Sequence, residues 1–535
     1  MKNLSRRGEP YIWITGGALA VSLVMTLGLI LLILVNGLGV FWPSEIVKVT
    51  LKDGSTAMGM VRTREAIPNP DDPNAPLKHR IQLQVGNRDL YGQDFRWIDE
   101  DAIQGRDVPL EAVLLERREW GHFCGFLKEL RIDGAAVASG PEAVWREMAP
   151  KLALAQKLWN QLRDIEKDDM GEISRRQENL RLQVRRREIE GRPADDLQAK
   201  IAALREDFQK KSEEIRKLRA EMERSRIILA TVDGKEKDLL LAEVVRSLRP
   251  NTLGIFGKSG VYVGRVWEFI ADEPRESNTE GGVFPAIFGT VMMVFIMTLA
   301  VVPLGVLAAL YLREYARQGP LVRAVRIAVN NLAGVPSIVF GVFGLGFFVY
   351  FIGGGIDRIF FPEALPSPTY GTGGILWASL TLALLTVPVV IVATEEGLAA
   401  VPRDYRNGSL ALGANKFETT VRVVLPNAMP GILTGVILAM ARAAGEVAPL
   451  MITGVVKLAP TLPMDGNFPF VHFERKFMHL GFHIYDVGFQ SPNVEAARPM
   501  VYTTTFLLLV IVVALNLVAI TVRNRLRAKL RSSTF

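Results

Sequence analysis

Apolar residues in this 535-residue chain gather toward its two ends. Residues 11–40 form one almost unbroken apolar run. Five more follow after residue 283, at 284–312, 327–352, 374–393, 430–456 and 500–521. Each can cross a hydrocarbon core of about 30 Å as a helix. The pattern predicts six transmembrane helices, with a long polar insertion at 41–282 between the first and the second.

Inside the insertion the period changes. Residues 45–140 are strand-like, with alternation around the turn signals Asp53-Gly54 and Gly86-Asn87. A third unit of this kind surrounds Asp233-Gly234, so 45–140 and 227–282 are expected to join in one small β-rich domain built on a hairpin repeat. Between them, residues 141–226 place Leu152, Leu158, Leu162 and Ile165, then Leu197, Ile201, Leu204 and Phe208, then Ile215, Leu218 and Met222 at spacings of three and four. The rest of that stretch is mostly charged. The spacing predicts an antiparallel coiled-coil hairpin, turning at Gly191 and Pro193. It suits a structural antenna or a docking arm for a partner, and the residues leave both open.

Charge changes the picture in one respect. The net charge of +7 could suggest nucleic acid, but the basic residues near the two ends flank apolar spans. Lys2, Arg6 and Arg7 precede the first span. Arg313, Arg317, Arg323 and Arg326, then Arg403, Arg406, Lys416 and Arg422, then Arg523, Arg525, Arg527, Lys529 and Arg531 occupy alternate loops and the tail. This positive-inside pattern places both termini in the cytoplasm and the insertion in the periplasm, with lipid rather than nucleic acid as the surroundings. The mean hydropathy of +0.20 beside 22% charged residues is the average of these two unlike parts. A single cysteine, Cys124, excludes an intramolecular disulfide and a cysteine metal cluster. The first run is too long for a signal-peptide core and reads as a retained anchor.

The stretch 394–456 carries the functional signal. Pro402 suits a first helical turn, Gly413 suits the left-handed residue past a helix end, and Asn415 with Glu418 suits a capping box. Leu425-Pro426 is expected to stop that second short helix, and Asn427 to cap a spanning one. A surface hairpin therefore feeds into a membrane helix, which is the shape of a lever that another protein pushes. Gly413, nine intervening residues and Val423-Val424-Leu425-Pro426 resemble the EAA loop of ABC-importer permeases. Asn407-Gly408-Ser409 stands where Glu-Ala-Ala is usual, which removes a usual carboxylate. The runs Arg442 to Leu450 and Leu332 to Gly341 resemble the PstA family of phosphate-importer permeases. The likeness covers 281–535 well, 1–40 weakly, and not the middle.

This resemblance implies a type I ABC-importer permease: an all-α membrane core of six helices, at 1–40 and 283–535, with a coupling loop at 394–428. It implies a second permease of PstC type, a dimer of ATP-binding subunits that hold ATP and Mg, a periplasmic phosphate-binding protein, and phosphate as cargo in an inner membrane. The chain itself would bind no cofactor and make no covalent change. A permease for sulfate or molybdate is the alternative within the class. A membrane-anchored scaffold or sensor working through the coiled coil is the alternative outside it.

Within the boundaries above, Arg442 and Glu446 are the only charged residues in any span. They stand at i and i+4, and Arg442 lies about 18 Å along a helix from Pro430. A charge at that depth is either functional or tightly paired. A guanidinium fork matches phosphate oxygens at any working pH, and a nearby carboxylate would hold it in place. In the family that it resembles, this pair is associated with phosphate passage. Other motifs read more plainly. Gly257-Lys258-Ser259 lacks the first glycine of a phosphate loop, since Thr252 stands there. His479, His483 and Asp486 have metal-like spacing but sit in an aromatic outer loop, where an interfacial segment explains them better. Asn407-Gly408-Ser409 is a formal glycosylation sequon placed on the cytoplasmic side. Gly341, Gly344, Gly346 and Gly353-Gly354-Gly355 fit close helix packing.

Overall fold

In a computed structural model the chain is described at residues 9–67, 77–491 and 494–532. Lys2, Arg6 and Arg7 lie outside the described residues, as do the side chains of Lys529 and Arg531. The chain divides into two compact units, residues 1–38 with 283–535, and residues 39–282.

In the first unit, six helices among the described residues are long and apolar enough to cross a membrane. They are Tyr11–Gly39, Phe284–Tyr315, Ser337–Phe360, Ile375–Ala400, Lys416–Gly445 and Ala497–Ala528. Helix Ile375–Ala400 is central and the most buried. Its Ala378, Leu382 and Val390 share a core with Met293, Met297 and Val301 of the second span and Ala439 of the fifth. Small residues allow the approach: a Cβ added at Gly344 would meet Thr381 Oγ1 at 2.2 Å, and one at Gly341 would meet Pro449 Cα at 2.7 Å. Gly346, Gly354 and Gly355 face open space instead.

Two spans depart from the sequence expectation. The third was drawn from residue 327, but Pro320–Leu332 is a separate amphipathic helix with Val322 buried. The turn at 333–336 breaks the run, because Pro336 pushes its predecessor out of the helical region, and the chain restarts at Ser337. The fifth was drawn over 430–456. Leu425-Pro426 does not stop the preceding helix, and Asn427 does not cap a new one. The backbone continues from Lys416–Thr419 through a π turn, Thr420–Val424, into Leu425–Gly445. The wider turn relieves the clash between the proline ring and the carbonyl four residues earlier. The helix then ends at Gly445, before the expected limit, and a short helix Ala448–Thr453 follows.

The second unit is built on two antiparallel sheets with helices inserted between and after their strands. Strands β1 (Ile46–Leu51), β2 (Thr56–Ile67), β3 (Lys78–Gln84), β4 (Phe95–Asp99) and β5 (Ile103–Asp107) form an antiparallel sheet in the order β4-β3-β2-β1-β5. Strands β6 (Val113–Arg117), β7 (His122–Ile132), β9 (Ser225–Ala230), β10 (Glu236–Leu240) and β11 (Val244–Leu248) repeat that order as β10-β9-β7-β6-β11, and β8 (Ala135–Ser139) pairs with β7. Each sheet has a single 3-10 turn before its last strand, Glu100–Ala102 and Leu241–Glu243. The domain is thus two copies of one five-stranded plan. The unit around Asp233-Gly234 joins the second sheet, while those around Asp53-Gly54 and Gly86-Asn87 lie in the first. Alternation explains the stacking: Val47, Val49 and Leu51 face one cluster, while Ile46, Met58 and Met60 face another that includes Leu114 and Cys124.

The coiled-coil hairpin expected over 141–226 is not what forms. Helix Pro141–Asp164 turns Val144, Met148, Leu152 and Leu158 onto the sheet residues Leu127, Leu130 and Leu229. Helix Met170–Ile189 buries no residue, and helix Asp195–Glu223 buries only Leu197, Ile215 and Met222. A knobs-into-holes seam needs apolar positions on both partners throughout. Here ion pairs tie the returning limb instead, Arg219 to Glu166 at 2.7 Å and Lys211 to Asp169 at 2.8 Å. Gly257-Lys258-Ser259 lies within helix Ile255–Ala271 and forms no phosphate-cradling loop.

Candidate functional site

Helix Leu425–Gly445 carries Arg442 in its last turn. Ala439, Ala443 and Ala444 turn into the core, which leaves Arg442 on the other side of the helix. Glu446 is not part of the helix. It is the residue past its end, with extended backbone at φ −79° and ψ 133°. The expected i, i+4 pair on one helix face is therefore a pair across a helix terminus. Arg442 Nε reaches Glu446 Oε1 at 3.5 Å, with the side chains 35% and 20% exposed. That long contact leaves the two terminal nitrogens of the fork unengaged among the described residues.

The break has physical meaning. Unwound backbone at membrane depth persists where it is buried in protein or lines a polar cavity. Here the non-helical Glu446-Val447 link separates helix Leu425–Gly445 from helix Ala448–Thr453, whose Pro449 packs on Gly341 of the third span. A cation in the last turn is also favoured by the helix dipole. Arg442 is thus placed where its charge is tolerated, with its side chain partly exposed.

Arg442 and Glu446 are not alone in the spans. Asp357, in span Ser337–Phe360, is fully buried and accepts hydrogen bonds from the amides of Tyr370 and Gly371, the latter at 2.6 Å. Its acceptors are satisfied by a loop, which makes it a structural anchor. It lies beyond residue 352, where the apolar run of that span ends in the sequence.

The second candidate is the loop between the fourth and fifth spans. Helix Arg403–Ala411 begins after Pro402 and contains Asn407, Gly408 and Ser409. Gly413 follows at φ +89°, which a side chain rarely adopts. Asn415 caps the next helix through a full capping box with Glu418. Ser409 Oγ and Thr419 Oγ1 lie 3.0 Å apart and staple the two short helices. Leu425 and Pro426 sit inside the continuous helix beyond the π turn.

What holds this loop was not legible in the chain. Arg406 donates to the carbonyls of Leu398 and Val401, both at 2.7 Å, and to Glu314 at the end of the second span at 3.1 Å. Arg326, on the amphipathic helix, donates to Glu395 of the fourth span at 3.0 Å. Nothing in the local pattern pairs residues so far apart. Four large apolar residues, Tyr405, Leu410, Leu412 and Phe417, are exposed to solvent among charged neighbours such as Arg403, Asp404 and Lys416.

His479 and His483 are buried, and burial pushes their pKa values down to about 3 and about 4, so both rings are neutral. Asp486 pairs with Lys457 at 3.2 Å. No three metal-ligating side chains converge among the described residues.

The chain matches the family described as binding-protein-dependent transport system inner membrane component over residues 301–532. The probable ABC transporter permease protein YqgI of Bacillus subtilis is 31% identical over 237 residues, which cover 43% of this chain and 74% of that protein. The probable phosphate transport system permease protein PstA of Methanocaldococcus jannaschii is 33% identical over 241 residues, 44% of this chain and 74% of the relative. The phosphate transport system permease protein PstA of Mycobacterium leprae is 40% identical over 172 residues, 32% and 51% of the two chains. The unit 39–282 lies wholly outside the family match.

Proposed function

The chain belongs to the PstA family of ABC-importer permeases, and from that premise we propose that it passes inorganic phosphate through a site built on Arg442 and Glu446. It is a multi-pass membrane subunit of a transporter whose other parts bind ATP and substrate. The observation that carries the site is the guanidinium fork of Arg442, held by one 3.5 Å contact beside a broken helix. A fork with free donors can take two phosphate oxygens at once, and a carboxylate nearby limits how tightly the anion is held.

The coupling loop 394–428 would receive the push. We place Tyr405, Leu412 and Phe417 against an ATP-binding subunit, one of a pair that holds ATP and Mg. Asn407, Gly408 and Ser409 form part of the same docking helix, and Gly413 its hinge. Leu425 and Pro426 lie on the rod that carries the movement inward. A second permease of PstC type completes the pore, and a periplasmic phosphate-binding protein delivers the anion. Both termini lie in the cytoplasm, and residues 41–282 lie in the periplasm of a cell with an inner membrane. The chain itself holds no cofactor. A scaffold or sensor is not favoured, because six apolar helices and the permease relatives have no place in it. Sulfate or molybdate is the other cargo that a guanidinium could carry.

Uptake of radiolabelled phosphate by the reconstituted complex tests this. Arg442→Gln should nearly remove it while assembly and basal ATP hydrolysis survive. Arg442→Lys should rescue in part, because a point charge lacks the bidentate fork. Sulfate and molybdate should fail to compete. If a double change of Arg442 and Glu446 to leucine restores both assembly and uptake, the pair is structural and the site lies elsewhere.

A further inference from the structure

Helix Ile255–Ala271 is built inside out for a domain in water. Its charged residues all turn inward and are paired. Lys258 meets Glu45 at 3.3 Å, Arg265 pairs with the buried Glu116 and donates to the carbonyl of Phe41 at 3.2 Å, and Glu268 meets both Arg246 and Arg275 at 2.6 Å. Its apolar residues point out. Ile255, Phe256, Val263, Trp267 and Ile270 are exposed, Phe256 at 95% and Trp267 at 70%. Positions 256, 263, 267 and 270 fall on one stripe at helical spacing. Gly260 and Gly264 lie on the same side, and a Cβ added at either would meet nothing within 4 Å. A helix facing water shows the opposite arrangement.

The position of the stripe says what covers it. The first apolar span ends at Gly39. Two residues later Phe41 packs on Tyr262 and Phe269 of this helix, with ring centroids 6.2 and 5.5 Å apart, and Trp42 packs on Tyr262 at 6.1 Å. Two residues of chain reach at most about 7 Å. The helix is therefore anchored where the chain leaves the bilayer. Trp267 on the outward stripe and Trp42 beside it suit the headgroup level, where an apolar ring with one polar edge is favoured. The outward face holds no charge, which suits acyl chains and their glycerol boundary.

We propose that helix Ile255–Ala271 lies in the bilayer interface, with Phe256, Val263 and Trp267 sunk among the lipids. It would fix the unit 39–282 at the membrane surface. The ligand is the lipid surface itself, bound through apolar contact, and the depth expected for such a helix is about 5–10 Å below the phosphates. This rests on helix 9–39 crossing the bilayer and on no other part of the proposed function.

Nitroxide accessibility in nanodiscs of phosphatidylethanolamine and phosphatidylglycerol tests it. Cys124 is buried, so introduced cysteines should be labelled selectively. The full chain in its assembled complex would carry a label at Val263→Cys or Phe256→Cys, with Arg185→Cys as a water-facing reference and Leu31→Cys as a lipid-facing one. The expected result is a several-fold higher ratio of oxygen to nickel-chelate collisions at 263 and 256 than at 185, approaching the ratio at 31. Equal ratios at 263 and 185 would overturn the inference. Shielding of 263 and 256 from both reagents would also overturn it, since a protein partner then covers the stripe. A water-like ratio at 31 would instead remove the first span, and the inference with it.

Discussion

The two units of this chain use apolar residues in opposite directions. In the unit 39–282, valines and leucines fill the centre: Val113, Leu115, Leu127 and Leu229 are fully buried, and charged side chains form the surface. In the other unit, the most apolar windows of helices Tyr11–Gly39 and Ala497–Ala528 have no buried position at all. Exposure there suits a lipid face, and the buried residues gather around the central helix Ile375–Ala400, with Met293, Met297 and Val301 packed against it. Hydrophobicity thus reports a core only once the surrounding solvent is known. Helix Ile255–Ala271 follows the membrane rule inside the water-borne unit, which is why its polarity is informative.

Four experiments would break or sharpen this contrast. The largest effect is expected at Arg442. Arg442→Gln should lower phosphate uptake by on the order of 100-fold, equivalent to about 3 kcal/mol. Arg224→Gln, which removes a surface pair with Asp133 in the other unit, should leave both uptake and unfolding temperature unchanged. Equal losses in the two variants would end the comparison.

Next comes core truncation. Leu229→Ala should destabilise the unit 39–282 by about 2–5 kcal/mol, read as faster amide exchange across β7 and β9. Leu31→Ala, at a lipid-facing position, should leave assembly intact. The third effect concerns the turn at Gly413. A valine there must adopt a left-handed backbone at a strain of about 1–3 kcal/mol. Uptake should fall several-fold while membrane insertion stays normal, and unchanged uptake would count against docking through this loop.

The smallest effect is a pH dependence. His479 and His483 titrate at about 3 and about 4 when buried, below their unfolded value near 6.5. The unfolded chain therefore binds more protons between those limits. Stability is complete above about pH 6.5 and is lost as pH falls toward 4. At pH 5.5 the loss should be on the order of 1 kcal/mol per histidine, visible as a lower melting temperature in detergent. His483→Gln should flatten part of that slope, and an unchanged slope would show that other groups set it.

The six spans could be read from the chain because lipid demands long uncharged runs, and water does not supply them by accident. Their ends could not. Pro336 and Gly445 break helices within apolar text, while Pro426, which invites a break, is absorbed by a π turn. The turns at Gly413 and Asn415 were legible because their chemistry is local. The clamp of Arg406 on Glu314 spans 92 residues and leaves no local trace. The return of the chain to the β-rich domain after the helical insertion was legible, but the pairing of β9 with β7 in particular was not. Heptad-like spacing misled at 141–226 because a sheet can satisfy an apolar helix face as well as another helix can. Of the candidate site, Arg442 was legible as an oddity of composition. Its place in a last turn, with Glu446 beyond the helix end, was not.

One consequence of the uninterrupted fifth helix is mechanical. From Lys416 to Gly445 the loop and the arginine share one continuous helix. Lys416 and Arg442 are separated by roughly 39 Å of helix axis. A tilt of only about five degrees, pivoting at the cytoplasmic end, would sweep the guanidinium through roughly 3 Å, about one hydrogen-bond length. Amplification of that size needs no hinge along the way. At the proposed site, a movement too small to rearrange the loop would be enough to decide whether an anion is gripped or let go.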